Sequence, residues 1–252
     1  MSPLFEVRGL TKRFLGITAV DGVDLRVEAG ELVSLIGPNG SGKTTLFNCV
    51  TGYLAPDEGR VTLRGQEVTG VAAHRIARLG VGRTFQLVSV FPRLSALENL
   101  LAFLQQHQEE SVLARLVRAP SVRRYEAVAV ERARRLLDSV GLAGHAHTPA
   151  GRLSYGQRKL LAFAAALMPD PELLLLDEPA AAVSPAMINQ MKEQIRALHR
   201  QGKTVLLVEH NMDVVMDISQ RVIVLDHGQK IAEGAPDAIR RDPKVIEAYC
   251  GR

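Results

Sequence analysis

The stretch Leu32 to Gly52, LVSLIGPNGSGKTTLFNCVTG, constrains this chain more than any other. An apolar run from Leu32 to Ile36 has the composition of a strand. Gly37, four intervening residues, Gly42, Lys43 and Thr44 then follow the phosphate-binding pattern G-x-x-x-x-G-K-[ST]. Thr45 to Val50 open a helix that stops near Gly52. Gly37, Gly40 and Gly42 let the backbone take positive φ and approach a phosphate closely. Successive N–H groups then point into one concavity, and the helix N-terminus adds partial positive charge. Lys43 is placed to reach β- and γ-phosphates, and the Thr44 hydroxyl to ligate Mg²⁺.

A chain of 252 residues with 46% hydrophobic residues is long and apolar enough for one large α/β domain, or for a core with a subdomain. A net charge of +4 is compatible with a nucleotide or an anionic surface and selects neither. Cys49 and Cys250 lie far apart and outside any C-x-x-C pair, so free thiols in a reducing compartment are expected. The start, MSPLFEVRGL, lacks the shape of a signal peptide. The apolar run Leu160–Met168 is far shorter than the about 18 residues a membrane span needs. Work at a membrane therefore calls for an integral partner.

Ahead of the phosphate loop, Phe5–Leu10 and Val23–Val27 read as strands, with turns at Asp21-Gly22 and Ala29-Gly30. Phe14 falls in the loop between those strands. Two readings of it stand: an aromatic face for a nucleotide base, or a core residue. Val61–Leu63 continues the strand pattern, so antiparallel strands are expected beside a parallel core. Residues 72–79 look helical, and Val81–Gln86 reads as a short strand. Residues 96–140 read as two or three helices broken at Pro120, with Ser121 as N-cap. Seven arginines between Arg115 and Arg135 make this region basic. Without interleaved aromatics they suit a solvated helix face better than an RNA-binding one. His145 and His147 have no Cys or Asp close by to complete a metal site.

The second half carries three further signals. Ser154 and Gly156 open an apolar helix ended by Pro169. Ser154 is either an ordinary N-cap or, with the Gly156 amide and the helix N-terminus, a binding point for an anion. Leu173–Leu176 has the continuous apolar composition of a strand buried on both faces, and Asp177 and Glu178 come directly after it. Two carboxylates there are costly unless they meet a cation or do chemistry. In an open parallel sheet that end is where ligands bind. Asp177 is expected to reach Mg²⁺ through its water shell, and Glu178 to polarise an attacking water. Thr204–Val208 is another buried strand, and it brings Glu209 and His210 to the same edge, making His210 a candidate γ-phosphate sensor. Helices are expected over 185–200, from Pro236, and over Pro243–Tyr249, with a hairpin around Gly228.

Taken together, GPNGSGKTT, Gln86, LSYGQ, LLLLDEP and VEH resemble the ATP-binding subunit of ABC transporters over nearly the whole chain. SLIGPNGSGKTTLFNCVTGY, RIARLGVGRTFQ, FPRLSALENLL and the ending VIEAYCGR look like the ATPases of branched-chain amino-acid importers, with urea and short-chain amide importers sharing much of this. The resemblance implies a P-loop NTPase core with a mostly parallel sheet, an N-terminal antiparallel β-subdomain and an inserted helical subdomain over 87–152. Residues 1–86 and 153–252 would form the catalytic core. It implies ATP and Mg²⁺ as cofactors. Phe14 would be the adenine-stacking aromatic, and Gly37, Pro38, Asn39, Gly40, Ser41, Gly42, Lys43, Thr44 and Thr45 the Walker A loop. Gln86 would contact Mg²⁺ or the attacking water. Ser154 and Gly156 would bind the γ-phosphate held by the opposite subunit of a head-to-tail dimer. Asp177 would support Mg²⁺, Glu178 would be the catalytic base and His210 the switch histidine. Permease subunits, a second ABC ATPase and, indirectly, a solute-binding protein are the implied partners, at the cytoplasmic face of the inner membrane and without nucleic acid. A non-transport ABC ATPase acting on DNA or ribosomes is disfavoured by the single motif set and the absence of a heptad run. A slow, regulatory partner of an active ATPase is the other alternative. Tyr155 departs from the usual signature glycine, and Ala182-Val183-Ser184 from the usual Gly-Leu-Asn/Asp. Ala162 and Ala165 stand where Glu and Arg are common, so an ion pair there is expected to be missing.

Overall fold

The computed structural model describes residues 3–84, 90–105 and 120–250. Three strands, β3 (Leu32–Ile36), β7 (Leu173–Asp177) and β8 (Thr204–Val208), are buried at every position. Their apolar runs leave no polar face to turn to water, which suits parallel strands covered by helices on both sides. They form the centre of a six-stranded sheet ordered β10-β9-β3-β8-β7-β6, with β6 (Val81–Arg83), β9 (Arg221–Asp226) and β10 (Gln229–Gly234) outside them. All its pairings are parallel except that of β10 with β9.

Alternate residues of the central strands feed two hydrophobic clusters. Val33, Leu35, Leu173, Leu175, Leu206 and Val208 pack with Leu46 and Phe47 of α1 (Lys43–Val50) and with an antiparallel sheet. That four-stranded sheet has the order β2-β1-β4-β5, with β1 Phe5–Phe14, β2 Ile17–Val27, β4 Glu58–Leu63 and β5 Gln66–Glu67. Leu32, Leu174, Leu176, Val205 and Leu207 face the other way, toward α3 (Ala96–Gln105), α4 (Pro120–Ser139), α5 (Tyr155–Leu167) and α6 (Pro185–Arg200). The short α2 (Ala73–Arg78) precedes β6. Helix α7 (Met212–Ile218) lies between β8 and β9, and α8 (Pro236–Arg241) and α9 (Pro243–Cys250) close the chain. A third cluster joins Ile36, Val222 and Val224 to Val215, Ile239 and Val245.

The expected antiparallel strands beside a parallel core are present, with three local corrections. β1 runs on to Phe14, which pairs with Ile17, so Phe14 is the last strand residue and not part of a long loop. The turn is Leu15-Gly16, both at positive φ, as a two-residue hairpin requires. Asp21-Gly22 is no turn: it lies inside β2, where Gly22 takes positive φ and the β1–β2 register shifts. Ser121 lies inside α4, which is described from Pro120 onward, and is not its cap. The β6 strand ends at Arg83, and Gln86 lies outside the described residues.

Candidate nucleotide site

Parallel register brings the three signals together. Leu35 pairs with Val208, and Val208 with Asp177, so β3, β8 and β7 end side by side. The glycine loop after β3, Glu209-His210 after β8 and Glu178 after β7 therefore emerge at one edge of the sheet.

The loop's shape depends on Gly37 and Gly42. A Cβ on Gly37 would lie 2.1 Å from the Leu225 carbonyl oxygen, and one on Gly42 would lie 2.3 Å from that of Ala19. Both have positive φ, so any side chain would clash and strain at once. Lys43 opens α1, and its Nζ turns back to donate to Gly37 O (2.9 Å), Pro38 O (2.8 Å) and Ser41 Oγ (3.1 Å). Burial pulls this ammonium below its ordinary pKa, against the opposing charges of Glu178 and Asp177. A cavity of about 280 Å³ is bounded by Ala19, Lys43, Thr44, Thr45, Glu178 and His210, with Asn39, Gly40 and Gly42 of the loop. A larger cavity, about 780 Å³, lies on the other side of the loop against α9, and its lining includes neither Lys43 nor Glu178. The smaller one holds the groups suited to phosphate chemistry. Sequence reasoning missed Ala19, a strand residue without a motif.

Asp177 ends β7 almost wholly buried. Its Oδ2 accepts from Arg83 Nη2 at 3.2 Å, and its backbone N–H donates to Thr84 Oγ1 at 3.2 Å. Oδ1 is buried without a hydrogen-bond partner. Burial pushes the carboxyl above its usual pKa, against the pull of Arg83. A carboxylate oxygen left over in such a place suits a hard divalent cation, and the exposed Thr44 hydroxyl is a second oxygen donor of the same kind. Glu178 takes a positive φ of 48°, sparsely populated for a non-glycine residue. Its Oε1 sits 2.8 Å from His210 Nε2. Glu209 secures the surroundings: Oε1 accepts from the Ala180 amide, and Oε2 from the amides of His210 and Asn211.

Ser154 caps α5 in a capping box. Its Oγ accepts from the Gln157 amide at 3.2 Å while Gln157 Oε1 accepts from the Ser154 amide at 2.9 Å. The hydroxyl proton keeps its freedom to donate. Gly156 lies beneath Met187, whose Sδ would be 2.4 Å from a Cβ there. Neither Ser154 nor Gly156 borders the small cavity, and nor does Phe14, a half-exposed residue with Lys12 Nζ 5.5 Å from its ring centre. One chain thus carries two separate anion-suited features.

Lys159 is the principal residue that sequence reasoning overlooked. It is buried on α5, and its Nζ donates to the carbonyls of Glu178 (2.9 Å), Pro179 (3.4 Å) and Ala181 (2.6 Å). The ammonium ties the Ser154 helix to the loop after Asp177. Ala162 and Ala165, also on that helix, carry no polar side chain, so no ion pair forms between those two positions. Among the described residues no group of His, Cys, Asp and Glu is arranged as a metal cluster, and His145 instead meets Gln157 Nε2 at 3.2 Å. No helix among them is long and apolar enough to cross a membrane.

A glycine phosphate loop at the end of one buried parallel strand, with two acids at the end of its near neighbour, defines a P-loop nucleotide hydrolase. Residues 20–181 match the family described as ABC transporter, and residues 229–249 match one described as branched-chain amino acid ATP-binding cassette transporter. The chain is 46% identical over 250 residues to BraF of Pseudomonas aeruginosa, a high-affinity branched-chain amino acid transport ATP-binding protein, covering 99% of this chain and 98% of BraF. It is 43% identical over 250 residues to LivG of Escherichia coli K12, of the same description, with the same coverage of 99% and 98%. A solved ATP-binding cassette of an ABC transporter in its ADP conformation superposes with a TM-score of 0.86 at 34% identity, covering 100% of both chains. A dimeric cassette bound to ADP and Pi in a post-hydrolysis state gives 0.78 at 27% identity, over 92% of this chain and 98% of that one. The chain belongs to the ABC transporter family as an ATP-binding subunit, an ATPase.

Proposed function

We propose that this ATPase drives import of branched-chain amino acids through a membrane permease. The observation that carries the solute class is the end-to-end likeness to BraF and LivG, together with the separate match over 229–249. In this reading the small cavity holds the phosphates of ATP. Lys43 shifts its ammonium from loop carbonyls to phosphate oxygens, and the loop amides and the start of α1 add further positive potential. Glu178 takes the proton of the attacking water, and His210, 2.8 Å from it, orients that carboxylate and senses the γ-phosphate. Thr44, Asp177 and Gln86 are the residues that would hold Mg²⁺, which when bound neutralises developing phosphate charge. Phe14 offers its half-exposed ring to adenine.

Ser154 and Gly156 act on ATP held by a second ATPase subunit arranged head to tail, which accounts for their distance from the chain's own phosphate loop. ATP closes the pair and hydrolysis reopens it. The described helices between residues 90 and 152 belong to a helical subdomain, and the half-exposed Phe91 lies where it receives a helix of the permease. The subunit works peripherally at the cytoplasmic face of the inner membrane, and a solute-binding protein delivers the amino acid to the permease. Uptake of labelled leucine, isoleucine, valine, urea and a short amide, in cells with and without the gene, tests the solute class. Loss of the three amino acids alone is expected; loss of urea or amide uptake instead would reassign the solute and leave the ATPase in place.

A further inference from the structure

One buried cation outside the phosphate loop joins the start of the nucleotide chemistry to the acid that ends β7. Arg83, the last residue of β6, has a side chain 8% exposed and points at the C-terminal end of α1. Nη1 donates to Thr51 Oγ1 at 2.5 Å and to Phe47 O at 3.4 Å, and Nη2 donates to Asn48 Oδ1 at 2.8 Å. The same Nη2 reaches Asp177 Oδ2 at 3.2 Å, and that carboxylate is 2% exposed. The guanidinium lies 5.2 Å from the ring centre of Tyr53 and 5.7 Å from that of Phe47. A planar fork carries its donors on separate nitrogens in fixed directions, so it sets a helix end and a carboxylate at a defined separation, whereas a lysine ammonium offers one point charge on a flexible stem. Helix α1 has Lys43 at its other end, so a single side chain fixes Asp177 relative to the phosphate-binding helix.

We propose that Arg83 is a positioning residue for the metal-supporting acid: by gripping Oδ2 against α1 it leaves Oδ1 of Asp177 as the oxygen presented to the divalent cation. The buried and otherwise unpartnered state of Oδ1 supports this assignment. The proposal rests on the reading of Asp177 as the residue that supports Mg²⁺.

The test separates metal affinity from nucleotide affinity. Binding of a fluorescent ATP analogue is measured with EDTA, and Mn²⁺ binding to the nucleotide-loaded protein is measured by electron paramagnetic resonance. For Arg83→Met, Mn²⁺ affinity is expected to fall about tenfold, as for other residues that orient a metal ligand, with metal-free nucleotide affinity held within about twofold. Arg83→Lys, which keeps the charge without the fork, is expected to show the same selective loss and serves if Arg83→Met does not fold. Equal losses in both affinities, or no loss of Mn²⁺ affinity in the folded variant, would overturn the proposal. Asp177→Asn is the control. If it leaves Mn²⁺ affinity intact, the reading of Asp177 itself is wrong; if it lowers that affinity and the Arg83 variants do not, only the role of Arg83 fails.

Discussion

Lys43 braces the phosphate loop from within: its ammonium holds Gly37 O, Pro38 O and Ser41 Oγ. Lys43→Ala removes that cation. With hydrogen bonds to charged groups contributing about 1.5–3 kcal/mol, ATP affinity should fall about tenfold or more, as isothermal titration would show. Glu178→Gln keeps the shape of the side chain but cannot accept the water's proton. It should lose about 10²- to 10⁴-fold in turnover while still binding ATP, and steady hydrolysis at the wild-type rate would rule out the base assignment. Lys43 was legible from the glycine pattern around it, and Asp177, Glu178 and His210 because they come at or just after the end of an apolar strand, and strand ends in a parallel sheet converge. Lys159 and Arg83 were not. Their partners are backbone carbonyls and residues far away in sequence, and a carbonyl leaves no trace in a side-chain pattern.

Helix α5 depends on its first turn. Ser154→Ala removes one half of the capping box and should cost about 1 kcal/mol of stability, read as a lower denaturation midpoint. Gly156→Ala tests something else: its methyl would meet the Sδ and Cε of Met187, the far end of a flexible side chain, so Met187 swings away and the fold persists. Loss of cooperative unfolding in that variant would contradict this. At the edge of the large sheet, Arg221 of β9 grips Glu31 with two bonds of 2.7 Å and also pairs with Glu233 of β10. Burial alone would push the Glu31 carboxyl up, but Arg221 and the Glu28 amide outweigh it and hold it below the ordinary glutamate range. A depressed carboxyl stabilises the fold above its unfolded value and stops doing so as pH falls through the folded one. The thermal midpoint should therefore drop as pH falls below the ordinary glutamate range, and Arg221→Met should flatten that dependence in calorimetry. The elements themselves were largely readable, since strands buried on both faces and helices opened by proline announce themselves. The misses at Asp21-Gly22 and Ser121 share a cause. A turn-forming pair also suits a bulge within a strand, and a proline–serine pair also fits inside a described helix.

At the scale of the whole molecule, neither Ser154 nor Gly156 borders the phosphate-loop cavity, and on the proposed head-to-tail reading ATP should bring two copies, or this chain and its partner ATPase, together. Glu178→Gln with ATP should elute from gel filtration as a dimer and return to monomer with ADP; a monomer under both conditions would count against closure by ATP. The sheet order β3-β8-β7 bears on how the chain is made. The phosphate loop leaves the ribosome early, but its neighbouring strand β8 and its acids lie more than 130 residues further along. A nascent chain therefore exposes a glycine loop that has nothing to work with, and competence for hydrolysis appears only when translation is nearly complete. The arrangement leaves a half-made chain with a phosphate loop but without the acids that hydrolysis needs.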